Sequence, residues 1–531
     1  MAVSRRDFVQ RVGAAGGYAA AYVTLQALGF LKPAQAFAAG PPDIAAGGGG
    51  RGAKVVILGA GVAGMAAAYE LGRAGYDCTV LEARTRAGGR NWTVRRGSVI
   101  ELTDGSRQVC DFDEGQYMNA GAARLPSHHQ IVLGYCRELG VPLEVEINTN
   151  RSALLLNPEA NGGKPIKMRT AINDTRGHVS ELLAKAINKG ALDQELTADD
   201  KQRMVAFLKT YGDLSPDLFY KGSQRAGLRI EPGAGDERAT PYDPVSLKAL
   251  LDEDLWNGVL FEETIDMQAT MFQPKGGMDA IPHAFAKALG PKIIKRQCEV
   301  RQIRKTGKGV KIAYRDISAG VDATIEADYC ISTIPLPVLA KIDADFSPAY
   351  KTAIARTPYR DSIKIAWQAP RFWEGPKYQI YGGLSFVKGP SNMVWYPSYG
   401  LHSKTGVILG AYAGGRAADQ LAKLSRAEQI EHTRKVIEAM HPGCGKLLEK
   451  PMQVQWAQVP YTQGIGVGWA SDDEPDYHLL GQPDGPIHFA GEYLSHVGAW
   501  QEGAIRAAHR AIVMLDAQHR KGQPVTAQRA I

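Results

Sequence analysis

A glycine-rich turn between two short apolar runs constrains the fold of this chain more than any other feature. Lys54–Leu58 has the β-branched composition of a buried parallel strand and leads directly into the turn 59–64 (GAGVAG) and a helical stretch. A second apolar run, 78–81, ends at Glu82. The glycines permit a tight turn, close approach of the backbone to a pyrophosphate and close packing of the helix. The pattern predicts a Rossmann-like nucleotide-binding domain, with a structural turn as the alternative.

Composition excludes several classes of protein. The chain has 531 residues, 44% of them hydrophobic, which is enough for more than one core, since a single core stops growing at about 250 to 300 residues. A net charge of +7 without long basic runs argues against nucleic acid as a partner. The six cysteines include no C-x-x-C pair, which favours buried free thiols over a zinc site or disulfides. His128 and His129 are adjacent and would point to different sides of a regular element, so we predict no metal site.

The N-terminus has the pattern of an export signal. A twin-arginine segment, 4–9 (SRRDFV), precedes a mildly apolar run over 12–31 and small-residue cleavage options within 34–38. This resembles a Tat-type signal over 1–38, followed by a glycine-rich linker over 39–52, and predicts a periplasmic or secreted protein. The apolar run is rich in glycine, so we expect a cleaved signal and no stable membrane span. An ordinary flexible terminus is the alternative.

Three further segments indicate the cofactor. Residues 82–90 (EARTRAGGR) extend the nucleotide-binding pattern with two more glycines and basic residues, while 486–492 (PIHFAGE) and 498–504 (GAWQEGA) predict a strand, a turn and a helix start. These segments resemble the FAD-binding signatures of the monoamine oxidase-like flavoproteins. Within that superfamily the chain is most similar to the L-amino-acid oxidases, from about 55 to 517. The resemblance implies noncovalent FAD, because no Cys or His stands at the flavin-linking positions, and a homodimer or higher homo-oligomer.

The resemblance also implies which residues contact FAD. They come from the first turn, the end of the second strand and the segment after it, and the segment before Pro126. Others are a position beside the adenine, a W-x-x-x-x-Y pattern, the turn after the C-terminal strand and the start of the C-terminal helix. They are Gly59, Gly61, Ala63, Gly64, Glu82, Ala83, Arg84, Gly89, Arg90, Gly121, Ala122, Ala123, Arg124, Val300, Trp456, Tyr461, Gly491, Glu492, Ala499 and Trp500.

Four residues are implied to bind the substrate. Arg124 matches the family arginine that grips the substrate carboxylate, a task suited to a planar guanidinium that donates two parallel hydrogen bonds. Tyr412 resembles the second carboxylate ligand. Trp500 resembles the aromatic wall over the flavin, and the carbonyl of Ala499 is implied to receive the amine, although many relatives have glycine there. A structural ion pair of Arg124 and ordinary core packing of Trp500 are the alternatives.

Lys364 is the candidate catalytic residue. Residues 362–367 (SIKIAW) alternate as a strand, with the isoleucines on one face and the lysine on the other. Relatives have a lysine at the matching place, where it holds a water against the flavin N5 and assists the reaction of reduced flavin with oxygen. An exposed lysine on the face of the sheet is the alternative.

These observations predict an α/β fold with α+β insertions. A Rossmann-like FAD-binding domain (53–106, 275–358 and 445–520) is interleaved with a substrate-binding sheet domain (107–164 and 359–444) and a helical subdomain (165–274). The resemblance implies oxidative deamination of an L-amino acid by oxygen to a 2-oxo acid, ammonia and hydrogen peroxide. The alternatives are a decarboxylating flavin amino-acid 2-monooxygenase, an amine or polyamine oxidase and, farther away, a non-catalytic FAD-containing binding protein.

Overall fold

A five-stranded parallel sheet carries the glycine-rich turn. The computed structural model describes residues 42, 44, 49–469 and 474–522, so the predicted signal segment lies outside the described residues. The strands of the sheet are, in spatial order, Ile294–Arg296, Asp77–Glu82, Lys54–Leu58, Tyr329–Ser332 and Ile487–Phe489. All neighbouring strands run parallel. The predicted α/β fold is confirmed.

The helix Val62–Arg73 connects the central strand of the parallel sheet, Lys54–Leu58, to the neighbouring strand Asp77–Glu82. Val55–Leu58 is buried on both faces, as is typical of a parallel strand covered on both sides. The helix presents a run of small buried residues, and the helix Gln501–Gly522 packs closely against it. The two ends of the described chain thereby share one hydrophobic core around the turn.

The α-helices of the described residues cover the sheets and build the central insertion. They are Val62–Arg73, Gln130–Glu138, Met168–Asn188, Ala198–Gly212, Leu247–Glu253, Trp256–Val259, Ala280–Leu289, Leu336–Leu339, Pro348–Arg356, Arg416–Leu421, Arg426–Met440, Pro475–Leu480 and Gln501–Gly522. Met168–Asn188 and Ala198–Gly212 pack against each other, and Thr197 caps the second of them in a capping box with Asp200.

A seven-stranded, mostly antiparallel sheet is the second large sheet of the fold. Its strands are, in spatial order, Ile166–Lys167, Leu154–Leu156, Leu384–Val387, Met393–Trp395, Thr405–Gly414, Ser362–Pro370 and Glu449–Gln455. The edge strand Glu449–Gln455 pairs here, although it lies in a range predicted for the FAD-binding domain. Ser362–Pro370 is buried along nearly its whole length, which places Lys364 in the interior.

Smaller sheets complete the fold. A four-stranded sheet joins Val321–Ala327, Gly309–Asp316, Cys298–Thr306 and Asp343–Ala344, and a three-stranded sheet joins Leu125–Pro126, Met271–Pro274 and Leu143–Glu146. Two-stranded sheets pair Thr93–Arg95 with Tyr117–Asn119, Val99–Glu101 with Arg107–Val109, Leu228–Ile230 with Thr240–Pro241, and Tyr359–Arg360 with Gly466–Val467.

The prediction about the cysteines can be compared with the fold. All six cysteines are free thiols as predicted, and the prediction of burial is confirmed for all of them except Cys444, which is partly exposed. Within the described part of the chain, no helix combines the length and the apolar character needed to cross a bilayer.

Candidate active site

The glycine-rich turn opens into the main cavity, which encloses about 1190 Å³ including the part open to solvent. Segments that are far apart in the described sequence, from Gly59 to Ala504, meet in its wall. The predicted FAD contacts that line it are Gly59, Gly61, Ala63, Glu82, Ala83, Arg84, Gly89, Arg90, Ala122, Val300, Tyr461, Gly491, Glu492, Ala499 and Trp500. Residues that the sequence did not indicate, such as Thr333 and Gln501, also line this main cavity.

The backbone of the turn is shaped for an anion. Gly59 has a φ of +102°, in the left-handed region that favours glycine. A Cβ atom on Gly61 would meet nothing within 4 Å, so the backbone there stays open to a ligand. Gly61 is also the N-cap of Val62–Arg73 and provides no side-chain cap, which leaves the first N–H groups of the helix available. Such a helix start binds phosphate.

Two backbone N–H groups fix the carboxylate of Glu82 at the end of its strand. The N–H of Ala60 donates to Oε2 at 2.9 Å, and the N–H of Arg84 donates to Oε1 at 2.9 Å. Each carboxylate oxygen can accept more than one hydrogen bond, so both can still accept from ribose hydroxyls. The turn and this carboxylate together fit the pyrophosphate and ribose of a dinucleotide cofactor such as FAD.

Two arginines connect distant segments across the main cavity. Arg84 donates to the carbonyl of Pro460 and to Oγ1 of Thr462. Arg90 donates to Oε1 of Glu492 at 2.8 Å, which joins residues 402 positions apart in the sequence. These contacts fix the predicted cofactor segments relative to one another.

Several predicted FAD contacts lie behind the wall of the main cavity instead of in it. A Cβ atom on Gly64 would lie 2.1 Å from the carbonyl oxygen of Gly59, so glycine is required where the helix passes the turn. A Cβ atom on Gly121 would lie 2.0 Å from the carbonyl oxygen of Arg90. Both glycines allow close backbone packing.

Trp456 and Ala123 also lie outside the lining of the main cavity. The buried indole of Trp456 donates to the carbonyl of Ala120 at 3.0 Å and supports the chain just before Gly121. Ala123 lines a smaller neighbouring cavity together with Trp395.

Arg124 lies among aromatic rings next to the main cavity. Its side chain is buried, with 7% of the residue exposed. The guanidinium carbon lies 4.8 Å from the ring centre of Trp395, 5.7 Å from that of Phe261 and 5.8 Å from that of Trp500. Nη1 donates to Oδ1 of Asn148 at 2.7 Å. Arg124 forms no ion pair with any carboxylate in the described ranges, so the structural ion pair considered as an alternative is not formed.

Lys364 is buried, with 2% of the residue exposed, so the alternative of an exposed lysine is wrong. Its Nζ donates to the carbonyls of Asn119 at 2.9 Å and Gly121 at 2.7 Å. Burial lowers the pKa of Lys364 to about 7, and the positive charge of Arg124 acts in the same direction. The amine therefore changes its charge near neutral pH.

Trp395 joins the predicted substrate residues into one cluster. Its ring centre lies 5.4 Å from Nζ of Lys364 and 5.7 Å from the ring centre of Tyr412. Tyr412 pairs with Lys364 across the sheet, and its ring lies 4.7 Å from Nζ. Sequence reasoning missed Trp395, because its strand has the composition of ordinary core.

Glu146 is a further residue that the sequence did not reveal. It is buried on the three-stranded sheet, where Met271 pairs with Glu146 on one side and with Pro126 on the other. Burial raises the pKa of Glu146 to about 7, while Arg124 and Trp395 oppose the rise. The cluster around Arg124 thus contains a carboxyl group that titrates near neutral pH.

Two other predictions concern local geometry. Ala499 has a φ of +63°, in the left-handed region, which accounts for the suitability of glycine at this place. The rings of His128 and His129 do not point apart as expected, because residues 127–128 form a turn and not a regular element. Both imidazoles lie near the carboxylate of Asp266.

Comparison with known proteins identifies the family. Residues 62–511 match the family described as flavin containing amine oxidoreductase. The putative L-amino-acid oxidase of Bacillus subtilis (strain 168) is 26% identical over 474 residues, which cover 86% of this chain and 93% of that protein. The L-amino-acid oxidase of Siganus canaliculatus is 27% identical over 475 residues, covering 87% and 85% respectively.

Solved structures share the fold. Cyclohexylamine oxidase from Brevibacterium oxydans IH-35A superposes with a TM-score of 0.59 at 17% identity, covering 88% of this chain and 100% of that one. Putrescine oxidase bound to putrescine gives a TM-score of 0.56 at 20% identity, covering 88% and 99% respectively. Because the family match spans most of the chain, the protein belongs to the flavin-containing amine oxidoreductases.

Proposed function

We propose that the protein is an L-amino-acid oxidase, which converts an L-amino acid, oxygen and water into a 2-oxo acid, ammonia and hydrogen peroxide. The observation that carries the proposal is Arg124. Its buried guanidinium lies beside the main cavity and forms no ion pair with a carboxylate among the described residues, so a substrate carboxylate could pair with it there. A simple amine has no group that could do this. Curated relatives that are L-amino-acid oxidases support the same substrate class.

The cofactor proposed for the main cavity is noncovalently bound FAD. Glu82 would hold the ribose, and the N–H groups after Gly61 would hold the pyrophosphate. When bound, FAD supplies the acceptor for two electrons and a proton from the substrate and returns them to oxygen.

The protein's contribution to substrate binding is orientation. Arg124 can donate two parallel, charge-assisted hydrogen bonds to the carboxylate, while Trp395 and Trp500 restrict the position of its guanidinium. We infer that the hydroxyl of Tyr412 donates to the same carboxylate and that the carbonyl of Ala499 accepts from the amine. Holding the α-carbon in one place accounts for much of the acceleration that a protein can supply in this reaction.

Lys364 is proposed to act on the oxygen side of the reaction. In its neutral form the amine has two N–H groups, and two carbonyls already accept from Nζ. Protonation adds a third N–H, which could hold a water. Because the pKa of Lys364 is about 7, both forms of the amine are populated at physiological pH, and the protonated form has the third N–H. We propose no protein general base, and the substrate ammonium is expected to lose its proton in the closed site.

A product assay tests the proposal. The purified protein, supplied with a panel of L-amino acids, should release peroxide, ammonia and a 2-oxo acid in equal amounts. Release of an amide and carbon dioxide would indicate a monooxygenase, and turnover of amines alone would indicate an amine oxidase. If the bound flavin does not bleach with any of these substrates under anaerobic conditions, the protein would be a non-catalytic FAD-containing binding protein. Tat-dependent export and homo-oligomer formation stay predictions from the sequence.

A further inference from the structure

A second polar cluster lies beside Trp500, outside the lining of the main cavity. It consists of His128, His129 and Asp266, and one ligand atom of each lies within 4.8 Å of the others. Nε2 of His128 is 2.8 Å from Oδ1 of Asp266, and Nε2 of His129 is 3.4 Å from the same oxygen. Two imidazoles therefore approach one carboxylate oxygen.

His129 provides an independent indication of a ligand. The residue is 1% exposed, and neither of its ring nitrogens has a hydrogen-bond partner among the described residues. Buried polar groups in proteins are almost always hydrogen-bonded, so an unpartnered buried imidazole requires an explanation. The 3.4 Å contact of its Nε2 with Asp266 aims the nitrogen at the cluster. His128 forms a hydrogen bond with Asp266 at 2.8 Å, whereas the contact of His129 does not have the geometry of a hydrogen bond.

We propose that His128, His129 and Asp266 form a binding site for a divalent cation of the Zn²⁺ type. Two imidazoles and one carboxylate are ligands that Zn²⁺ favours, and three protein ligands leave a position for water. Ligand atoms at about 2.0 to 2.2 Å from a tetrahedral ion are about 3.4 Å apart. The separation of 3.4 Å between His129 and Asp266 matches this value, whereas the 2.8 Å between His128 and Asp266 is that of a hydrogen bond, which would have to lengthen on binding.

The local backbone explains how adjacent histidines can share an ion. Residues 127–128 form a turn, and His129 is the N-cap of the helix Gln130–Glu138. The two ring centres are 4.5 Å apart with an interplanar angle of 73°, so the rings meet at an edge and do not diverge. The side chains of His128 and Asp266 are partly exposed, which gives an ion access from solvent.

Such an ion would tie two segments at the edge of the substrate cluster. Asp266 lies in the short helix Ile265–Met267, and the carbonyl of Met267 accepts from Nδ2 of Asn148, the hydrogen-bond partner of Arg124. The ring of His129 lies 5.0 Å from that of Trp500. The site is thus next to the proposed substrate pocket, but its existence does not depend on the proposed function.

Zn²⁺ titration of the chelator-treated, tag-free flavoprotein tests the site. Calorimetry should show one equivalent bound per chain. Asp266→Asn and His128→Ala should each raise the dissociation constant for Zn²⁺ by at least about 10- to 100-fold. Removing a group that only hydrogen-bonds to a metal ligand already weakens metal binding by this factor. His283→Gln, at an exposed histidine of the helix Ala280–Leu289, is the matched control and should bind Zn²⁺ like the wild type.

Anomalous scattering from Zn²⁺-soaked crystals locates the ion directly. The expected peak lies about 2.0 to 2.2 Å from a nitrogen of each histidine and an oxygen of Asp266. Because a substitution of the buried His129 could disturb folding, the affinities are compared in the His128 and Asp266 variants, whose side chains are partly exposed, with flavin content as the folding check. Unchanged Zn²⁺ affinity in both variants, or a peak elsewhere only, would overturn the proposal.

Discussion

Replacing Arg124 is the strongest test of the substrate assignment. The guanidinium is buried among three rings, so its contact with a substrate carboxylate would be little screened by solvent. Truncating one partner of such a charge pair costs about 2 to 5 kcal/mol. At 1.36 kcal/mol for each factor of ten, Arg124→Ala should lower kcat/KM for amino acids by about 30- to 5,000-fold.

Two further measurements separate binding from folding. Arg124→Lys keeps the positive charge but loses the planar fork, so it should recover only part of the lost kcat/KM. FAD content should not change in either variant, since Arg124 does not line the main cavity. The loss of its hydrogen bond to Asn148 should lower the thermal midpoint only modestly.

The decisive comparison uses the amine obtained by removing the carboxylate from the best amino-acid substrate. Steady-state peroxide release is measured for both compounds with the wild type and each variant. Turnover of the amine should be poor and nearly unchanged by either substitution, because it makes no carboxylate contact. An equal loss for amine and amino acid would refute the reasoning and return Arg124 to a structural role.

Three other substitutions test separate parts of the site. Lys364→Met should slow flavin reoxidation by oxygen much more than anaerobic reduction by substrate in stopped-flow experiments, and equal effects would contradict the proposed role. The pKa of Glu146 rises from its ordinary 4.5 to about 7 on folding, so its contribution to stability is complete below pH 4.5 and is lost as the pH rises through 7. Glu146→Gln should therefore flatten the pH dependence of the free energy of unfolding between these values, by at most about 3 kcal/mol; an unchanged pH profile in urea titrations would contradict this. In Ala499→Gly, the left-handed backbone no longer costs the about 1 to 2 kcal/mol that it costs an alanine. Glycine loses more entropy on folding, so the net increase in the free energy of unfolding should be up to about 1 kcal/mol. A lower free energy of unfolding would show that the alanine side chain contributes packing instead.

The parts of the fold that were predictable depend on short stretches of sequence. A buried strand, a glycine turn and a helix form within 54–73, so local pattern was sufficient to predict the parallel sheet and most of the cavity wall. Lys364 could be placed on a strand, but its burial depends on neighbours from Thr405–Gly414 and Glu449–Gln455, which no local pattern reveals.

The residues that were missed reach the site through long-range pairing. Glu146 is brought there because Leu143–Glu146 and Leu125–Pro126 both pair with Met271–Pro274, more than a hundred positions away. Trp395 is placed by a pairing over a shorter distance, since it pairs with Leu409 and thereby lies beside Tyr412. The histidine pair was misjudged for a different reason: its side-chain directions were inferred from a regular element, and the segment is a turn.

The charges around Trp395 explain why the site should select a carboxylate. Arg124 and Lys364 are both buried near this ring, and the charge of Arg124 helps to lower the pKa of Lys364. Glu146 opposes this positive potential only in its ionised form, which its raised pKa makes incomplete at neutral pH. A substrate carboxylate brings the missing negative charge to Arg124 without the cost of burying another protein carboxylate. It should also raise the pKa of Lys364, since a nearby opposite charge favours the protonated amine. The product keeps this carboxylate, so while it stays bound it would favour the third N–H of Lys364 at the stage when oxygen reacts.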